Sequence, residues 1–307
     1  MRRIEIRRLD APLGAAVEGI DPDAIGGLEP EMFETIEAAL HRHRVLVFPG
    51  APRENAQLVR FAERFGRLVT LYEHGTTVPG FPAIVRVSNI CEEGRPIGLA
   101  GSQELPWHHD HSYLEHPARE SFLEATELPI DSPQTAFVDM SAALASLPGR
   151  LRERLRGLRA VHHIDERRND VEGDAEDASG RARATSVTPN YDDETNRLAQ
   201  DRIAAHRALH PVVARHPVSG AETLYISPFA THSIVGLPSD ESTTLLDELF
   251  DRAIRPESIY AHAWLPGDLV VWDTITCLHR RDAFDPSGRR LMKQMSTCCD
   301  APLDAGA

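Results

Sequence analysis

Trp107-His-His-Asp-His-Ser-Tyr113 is the stretch on which the reading of this chain turns. His108 and Asp110 stand two positions apart, and on an extended strand residues i and i+2 point to the same side. An imidazole and a carboxylate so placed can meet one metal ion. A distant histidine would complete a set of two imidazoles and one carboxylate. Such a set occupies one face of the ion and leaves three positions open, the pattern of non-haem Fe(II) oxygenases. The pair alone is weak evidence. With 15 histidines and 47 acidic residues in 307 positions, about two His-x-Asp/Glu matches arise by chance. The other match, His163 and Asp165, reads as structural. His109 and His111 alternate with the candidate ligands, so on a strand they face away from the ion, and Trp107 reads as core.

Outward from this stretch the chain is rich in short strands. Residues 4–9, 45–48, 83–87, 122–125, 135–140, 211–215, 223–227, 260–264, 269–273 and 291–297 have strand character. Helical spacing appears at 29–43 (Phe33, Ile36, Leu40), around Leu58, Ala62 and Phe65, and around Leu245, Leu246, Leu249 and Phe250. A further stripe runs from Leu144 to Leu158 and is interrupted by Pro148. Residues 92–106 read as a loop leading into the histidine-rich stretch. This pattern predicts a mostly β fold with flanking helices, a β-sandwich or jelly-roll core, and not an alternating βαβ sheet. Residues 165–186 are charged and nearly free of large apolar side chains. They read either as a plain loop or as a mobile lid over a site.

Composition narrows the function. The net charge is −14 and Lys293 is the only lysine, which argues against nucleic acid as a partner because phosphate neutralisation supplies most of such affinity. No apolar run approaches a membrane span, and the N-terminal residues lack a secretory hydrophobic segment. Cys91, Cys277, Cys298 and Cys299 form no CxxC pair, so reduced thiols in a cytoplasmic protein are expected. Of the adjacent Cys298 and Cys299, one should point inward and one outward. Phosphate loops, nucleophile elbows and HExxH are absent from the sequence.

The Trp107–Tyr113 stretch resembles the W-H-x-D-x-[ST]-[FY] signature of the taurine dioxygenase and 2,4-dichlorophenoxyacetate dioxygenase (TauD/TfdA) family. Other segments resemble that family in the same order: Val45-Leu-Val-Phe-Pro-Gly50, Phe61-Ala-Glu-Arg-Phe-Gly66, the hairpin from His210 to Ile226, and Gly267-Asp-Leu-Val-Val-Trp-Asp273 six residues before His279. The resemblance implies a single domain over 1–307 with a double-stranded β-helix (jelly-roll, cupin-like) core. It also implies an enzyme that uses Fe(II), 2-oxoglutarate and O2 to oxidise a small-molecule substrate, releasing succinate and CO2. His108, Asp110 and His279 would bind the iron. Arg290, eleven positions after His279, and Thr135, 25 positions after Asp110, would hold the far carboxylate of 2-oxoglutarate, for which arginine offers a two-pronged donor. A homodimer or homotetramer is also implied.

One departure bears on the substrate. Many members carry a second arginine four positions after the first, which grips a sulfonate or carboxylate; here that position is Gln294. Taurine and phenoxyacetates are therefore expected to be poor substrates. Arg86, Lys293 and Arg281 are alternative sources of charge, and Tyr72, His74 and Phe229 are candidate pocket residues. The carboxylate of Asp110 argues against halogenation. Hydroxylation, desaturation, ring closure and isonitrile formation all stay open, as does a metal-binding jelly roll without turnover or one that holds zinc for hydrolysis.

Overall fold

Strand parity assigns the layers of this protein. Leu269–Asp273 is buried along its whole length, yet Leu269 and Val271 pack with one set of neighbours while Val270 and Trp272 pack with another. Val45–Phe48 divides the same way, Leu46 and Phe48 to one side and Val45 and Val47 to the other. The computed structural model describes residues 4–72, 75–164 and 206–306. His74, Asp165 and the 165–186 segment lie outside the described residues.

A nine-stranded sheet runs in the order Glu5–Arg8, Ala15–Glu18, Val45–Phe48, Leu269–Asp273, Ala118–Glu127, Leu291–Cys298, Phe81–Ser88, Thr77–Val78, with Leu99–Ala100 beside Phe81–Ser88. A four-stranded sheet runs Ile259–His262, Thr135–Asp139, Cys277–Arg281, Leu105–His108. The two sheets share a core of Val47, Val87, Leu123, Phe137, Val270, Trp272, Cys277 and Met292. This pair of facing, mostly antiparallel sheets is the jelly roll expected from the strand pattern.

Helices cover the outer face of each sheet. Pro30–His43 and Asn55–Glu63 pack Phe33, Ile36, Leu40, Leu58 and Phe61 onto the large sheet. Pro30 opens the first helix, where its missing N–H costs nothing. Phe33, Phe48, Phe61, Phe65 and Phe122 meet edge-to-face there, with ring centroids 4.7–6.4 Å apart. Met140–Ser146, Gly149–Leu155 and Ser239–Ala253 cover the small sheet. Pro148 does split the leucine stripe into two helices, because its ring cannot continue the first one. The strand expected to reach Met140 stops at Asp139, whose carboxylate accepts the Ser141 and Ala142 N–H groups and starts a helix. Cys298 and Cys299 are both buried, contrary to the expected alternation. Cys298 ends the Leu291–Cys298 strand with its thiol on the Arg67 carbonyl, and Cys299, just past the strand, packs with Tyr225, Ile275 and Leu303. Among the described residues, no helix is long and apolar enough to cross a membrane.

Candidate metal centre

Parity also aims the candidate site. Phe137 and Cys277 face the inter-sheet core, so Thr135, His279 and Arg281 face it too. On the large sheet Met292 faces inward, and with it Arg290 and Gln294. Trp107 packs in the outer cluster, which turns its neighbour His108 inward. His108 and His279 are directly opposed across the small-sheet ladder.

Asp110 reaches the same place by a route other than the one expected. The strand ends at His108, and Asp110 lies in the turn that follows. His111 takes a left-handed backbone, φ 52°, a conformation that side chains other than glycine adopt at some cost. The turn therefore does what a continuous strand was expected to do. Asp110 Oδ1 lies 3.5 Å from His108 Nε2 and 3.8 Å from His279 Nε2. One ligand atom from each residue fits within 4.8 Å of the others, so the three could hold one ion.

The surroundings prepare those atoms. His108 Nδ1 lies 2.7 Å from the Pro106 carbonyl, which draws the ring proton to Nδ1 and leaves the Nε2 lone pair toward the group. Asp110 Oδ2 accepts from Ser121 Oγ at 2.6 Å and Gln294 Nε2 at 3.3 Å, so Oδ1 remains for the histidines' side. Burial opposes ionisation of Asp110, but the nearby His279 and His108 outweigh it and hold the carboxyl well below the usual range. Burial, then His108, holds His279 down to about 3. An ionised carboxylate beside a neutral imidazole is the state a divalent cation requires of its ligands.

These groups line a cavity of about 180 Å³ that also contains Thr135, Arg281, Arg290, Tyr72, Phe229 and Gln294. Arg290 is 1% exposed, and among the described residues its Nε and Nη2 have no hydrogen-bond partner. A buried guanidinium with donors left over is costly unless an anion reaches it. Burial, then neighbouring Arg281, pushes its pKa down to about 9, so it is still a cation at neutral pH. Arg281 is tied to the carbonyls of Ala100, Gly101 and Gln103. Thr135 Oγ1 accepts the Trp264 indole N–H at 3.0 Å and sits opposite Arg281 on the ladder.

Other expected residues separate here. Tyr72 and Phe229 line the cavity; the Phe229 ring lies 5.9 Å from that of His108. His111 was expected to face away, yet its unusual backbone brings it to the cavity wall, 3.0 Å from the Tyr113 hydroxyl. Tyr113 is in turn hydrogen-bonded to Tyr72, whose phenol burial pushes up to about 12. His109 donates Nδ1–H to the Thr274 carbonyl and stacks on Tyr225, outside the three-residue group. Arg86 and Lys293 do not line the cavity; Arg86 donates to the Gly75 carbonyl and Lys293 to Glu124. Ser121 and Ser296, 3.0 Å apart on paired strands, were not foreseen. Their signal is a serine at an inward position of a buried strand, readable only once the partner strand is known.

Comparison with known proteins agrees across the chain. The family model described as "Taurine catabolism dioxygenase TauD, TfdA family" matches residues 5–296. Pentalenolactone F synthase of Streptomyces avermitilis is 34% identical over 307 residues, covering 99% of this chain and 97% of its own. The alpha-ketoglutarate-dependent 2,4-dichlorophenoxyacetate dioxygenase of Cupriavidus pinatubonensis is 33% identical over 302 residues, covering 94% and 96%. Among solved structures, a taurine dioxygenase from Burkholderia xenovorans superposes with a TM-score of 0.75 at 26% identity, covering 97% of this chain and 90% of that one.

Proposed function

The chain belongs to the TauD/TfdA family of alpha-ketoglutarate-dependent dioxygenases, and from that premise we propose that His108, Asp110 and His279 hold its Fe(II) while Thr135 and Arg290 hold the far carboxylate of 2-oxoglutarate. The observation that carries this reading is Arg290: a buried guanidinium with unpartnered donors in the same cavity as two imidazoles and a carboxylate. The donor set suits a ferrous ion, with one anionic oxygen and two nitrogens. Held by these residues, iron and 2-oxoglutarate would supply the O2-dependent oxidising chemistry, with succinate and CO2 as coproducts.

The protein's own share is positional. Arg290 offers a planar fork that matches a carboxylate. Trp264 donates into Thr135 Oγ1, so the threonine hydroxyl keeps its own hydrogen to give to the same carboxylate. Ser121 and Gln294 occupy one oxygen of Asp110 and fix its rotation. Val85, Val87, Leu105, Leu123 and Phe229 furnish apolar walls that exclude water. Asp110 would supply the third ligand of the set, so the outcome we assign is an oxidation other than halogenation.

The substrate we propose is small, largely apolar and without an anionic tail. Gln294 stands where an anion-gripping arginine would be, and it is engaged with Asp110. The test is succinate release by anaerobically iron-loaded protein offered neutral lactones, taurine and phenoxyacetates. Turnover with a neutral member is the expected result. Fast taurine-dependent succinate formation would overturn the substrate class, and failure to bind both metal and 2-oxoglutarate would overturn the site.

A further inference from the structure

Among the described residues, a second group of two imidazoles and a carboxylate has ligand-like spacing: His41, His216 and Asp273. Its hydrogen bonds argue against a metal ion. His216 Nδ1 accepts the N–H groups of Val218 and Ser219, at 3.2 and 3.0 Å. A ring nitrogen that accepts carries no proton, so the proton of neutral His216 is on Nε2. That atom lies 3.5 Å from Asp273 Oδ1, and both residues are fully buried. The Arg44 guanidinium lies 3.9 Å from the other Asp273 oxygen, so that oxygen already faces a cation.

Asp273 has a different task. Its Oδ1 accepts the N–H groups of Ile275 and Thr276 and so caps the turn at 273–276. That turn joins Leu269–Asp273 to Cys277–Arg281, the strand that carries His279. Within it, Thr274 Oγ1 accepts the backbone N–H of Asp110 at 3.1 Å, and the Thr274 carbonyl accepts from His109 at 2.7 Å. The turn therefore grips the segment bearing Asp110 while continuing directly into the strand bearing His279.

We propose that the 273–276 turn, locked from behind by His216 and Arg44 through Asp273, is the brace that sets the spacing of Asp110 and His279, with Thr274 as its positioning residue. This rests on the metal-centre reading above. One buried threonine hydroxyl and the half-buried Arg44–Asp273 ion pair, both outside the ligand set, then govern metal affinity.

The experiment uses the full chain with Co(II) as a spectroscopic probe, following binding by titration and the ligand-field bands by absorbance. Thr274→Val removes the acceptor at nearly constant shape. It is expected to weaken Co(II) binding by about tenfold or more, as removal of groups supporting metal ligands does elsewhere, and to shift the bands. Thr274→Ser should restore both. Asp273→Asn, a second route to the same brace should the valine variant not fold, should also weaken binding. A wild-type chain that does not bind Co(II) would refute the metal-centre reading itself. Wild-type affinity and bands in the valine variant, or in the asparagine variant where valine does not fold, would refute the brace. Two Co(II) ions per wild-type chain, one lost in His216→Gln, would show the second group to be a metal site and overturn the assignment.

Discussion

Replacing Arg290 by methionine should move stability and ligand binding in opposite directions. In the ligand-free protein the guanidinium is buried, two of its donors are unpartnered among the described residues, and Arg281 stands beside it. Burial and that neighbour hold its pKa at about 9, which, against the ordinary value, is an unfavourable charging free energy on the order of 5 kcal/mol. Methionine fills similar volume without the charge, and such replacements recover about 1–4 kcal/mol. For a chain of this length that raises Tm by roughly 1.5–6 °C. Binding of 2-oxoglutarate should suffer the reverse, because losing one partner of a buried charge pair costs about 2–5 kcal/mol, a weakening of roughly 30-fold to several thousandfold. Calorimetric melting of metal-free protein and anaerobic titration of Mn(II)-loaded protein with 2-oxoglutarate read the two effects separately. A methionine variant that melts lower than wild type without ligand, or that keeps its 2-oxoglutarate affinity, would refute the reasoning.

Arg53 is the counter-case. It is also buried, but it pairs with Glu124 and donates to the carbonyls of Phe48 and Gly267, leaving only Nε without a partner among the described residues; Lys293 stays beside Glu124, so Arg53→Met should destabilise by about 1–3 kcal/mol in urea unfolding. Acid should weaken the fold through His109 and His210, whose pKa values burial lowers to about 4. The unfolded chain takes up these protons near 6.5 and the folded one only near 4, so stability rises with pH across that window. Between pH 7 and 5 each histidine should remove about 2 kcal/mol; urea midpoints unchanged over that range would contradict it. Gln294→Arg places a cation beside the cavity and should raise succinate release with carboxylate- or sulfonate-bearing substrates while slowing turnover of neutral ones; identical substrate profiles for variant and wild type would count against Gln294 as a specificity position.

Much of this architecture could be read from one sequence because strand parity is local. Every second residue of Leu269–Asp273 and Leu291–Cys298 faces the same way whatever the fold, so inward positions for Arg290, Met292 and Gln294 follow once one of them is anchored. The distance from His108 to His279 could not be read this way; ladder pairing makes them neighbours across 171 positions of chain, and only the family resemblance pointed to it. Parity also failed where the backbone leaves the strand. His111 turns to the cavity because φ 52° breaks the alternation, and nothing in the residue type announces a left-handed histidine.

The same limit explains why Thr274 and Ser121 stayed hidden while the candidate ligands did not. Metal ligands are rare residue types in a recognisable spacing, so chance matches can be counted and discounted. Supporting groups are common residue types whose meaning lies in what they touch. Ser121 matters because Asp110 Oδ2 lies 2.6 Å away, and Thr274 because it receives the Asp110 N–H. Asp110 thus has both its carboxylate and its backbone held by partners more than ten positions distant. A carboxylate held at both ends presents Oδ1 to the imidazoles in one direction, so the fold, and not the ligand identities alone, sets the geometry offered to an ion.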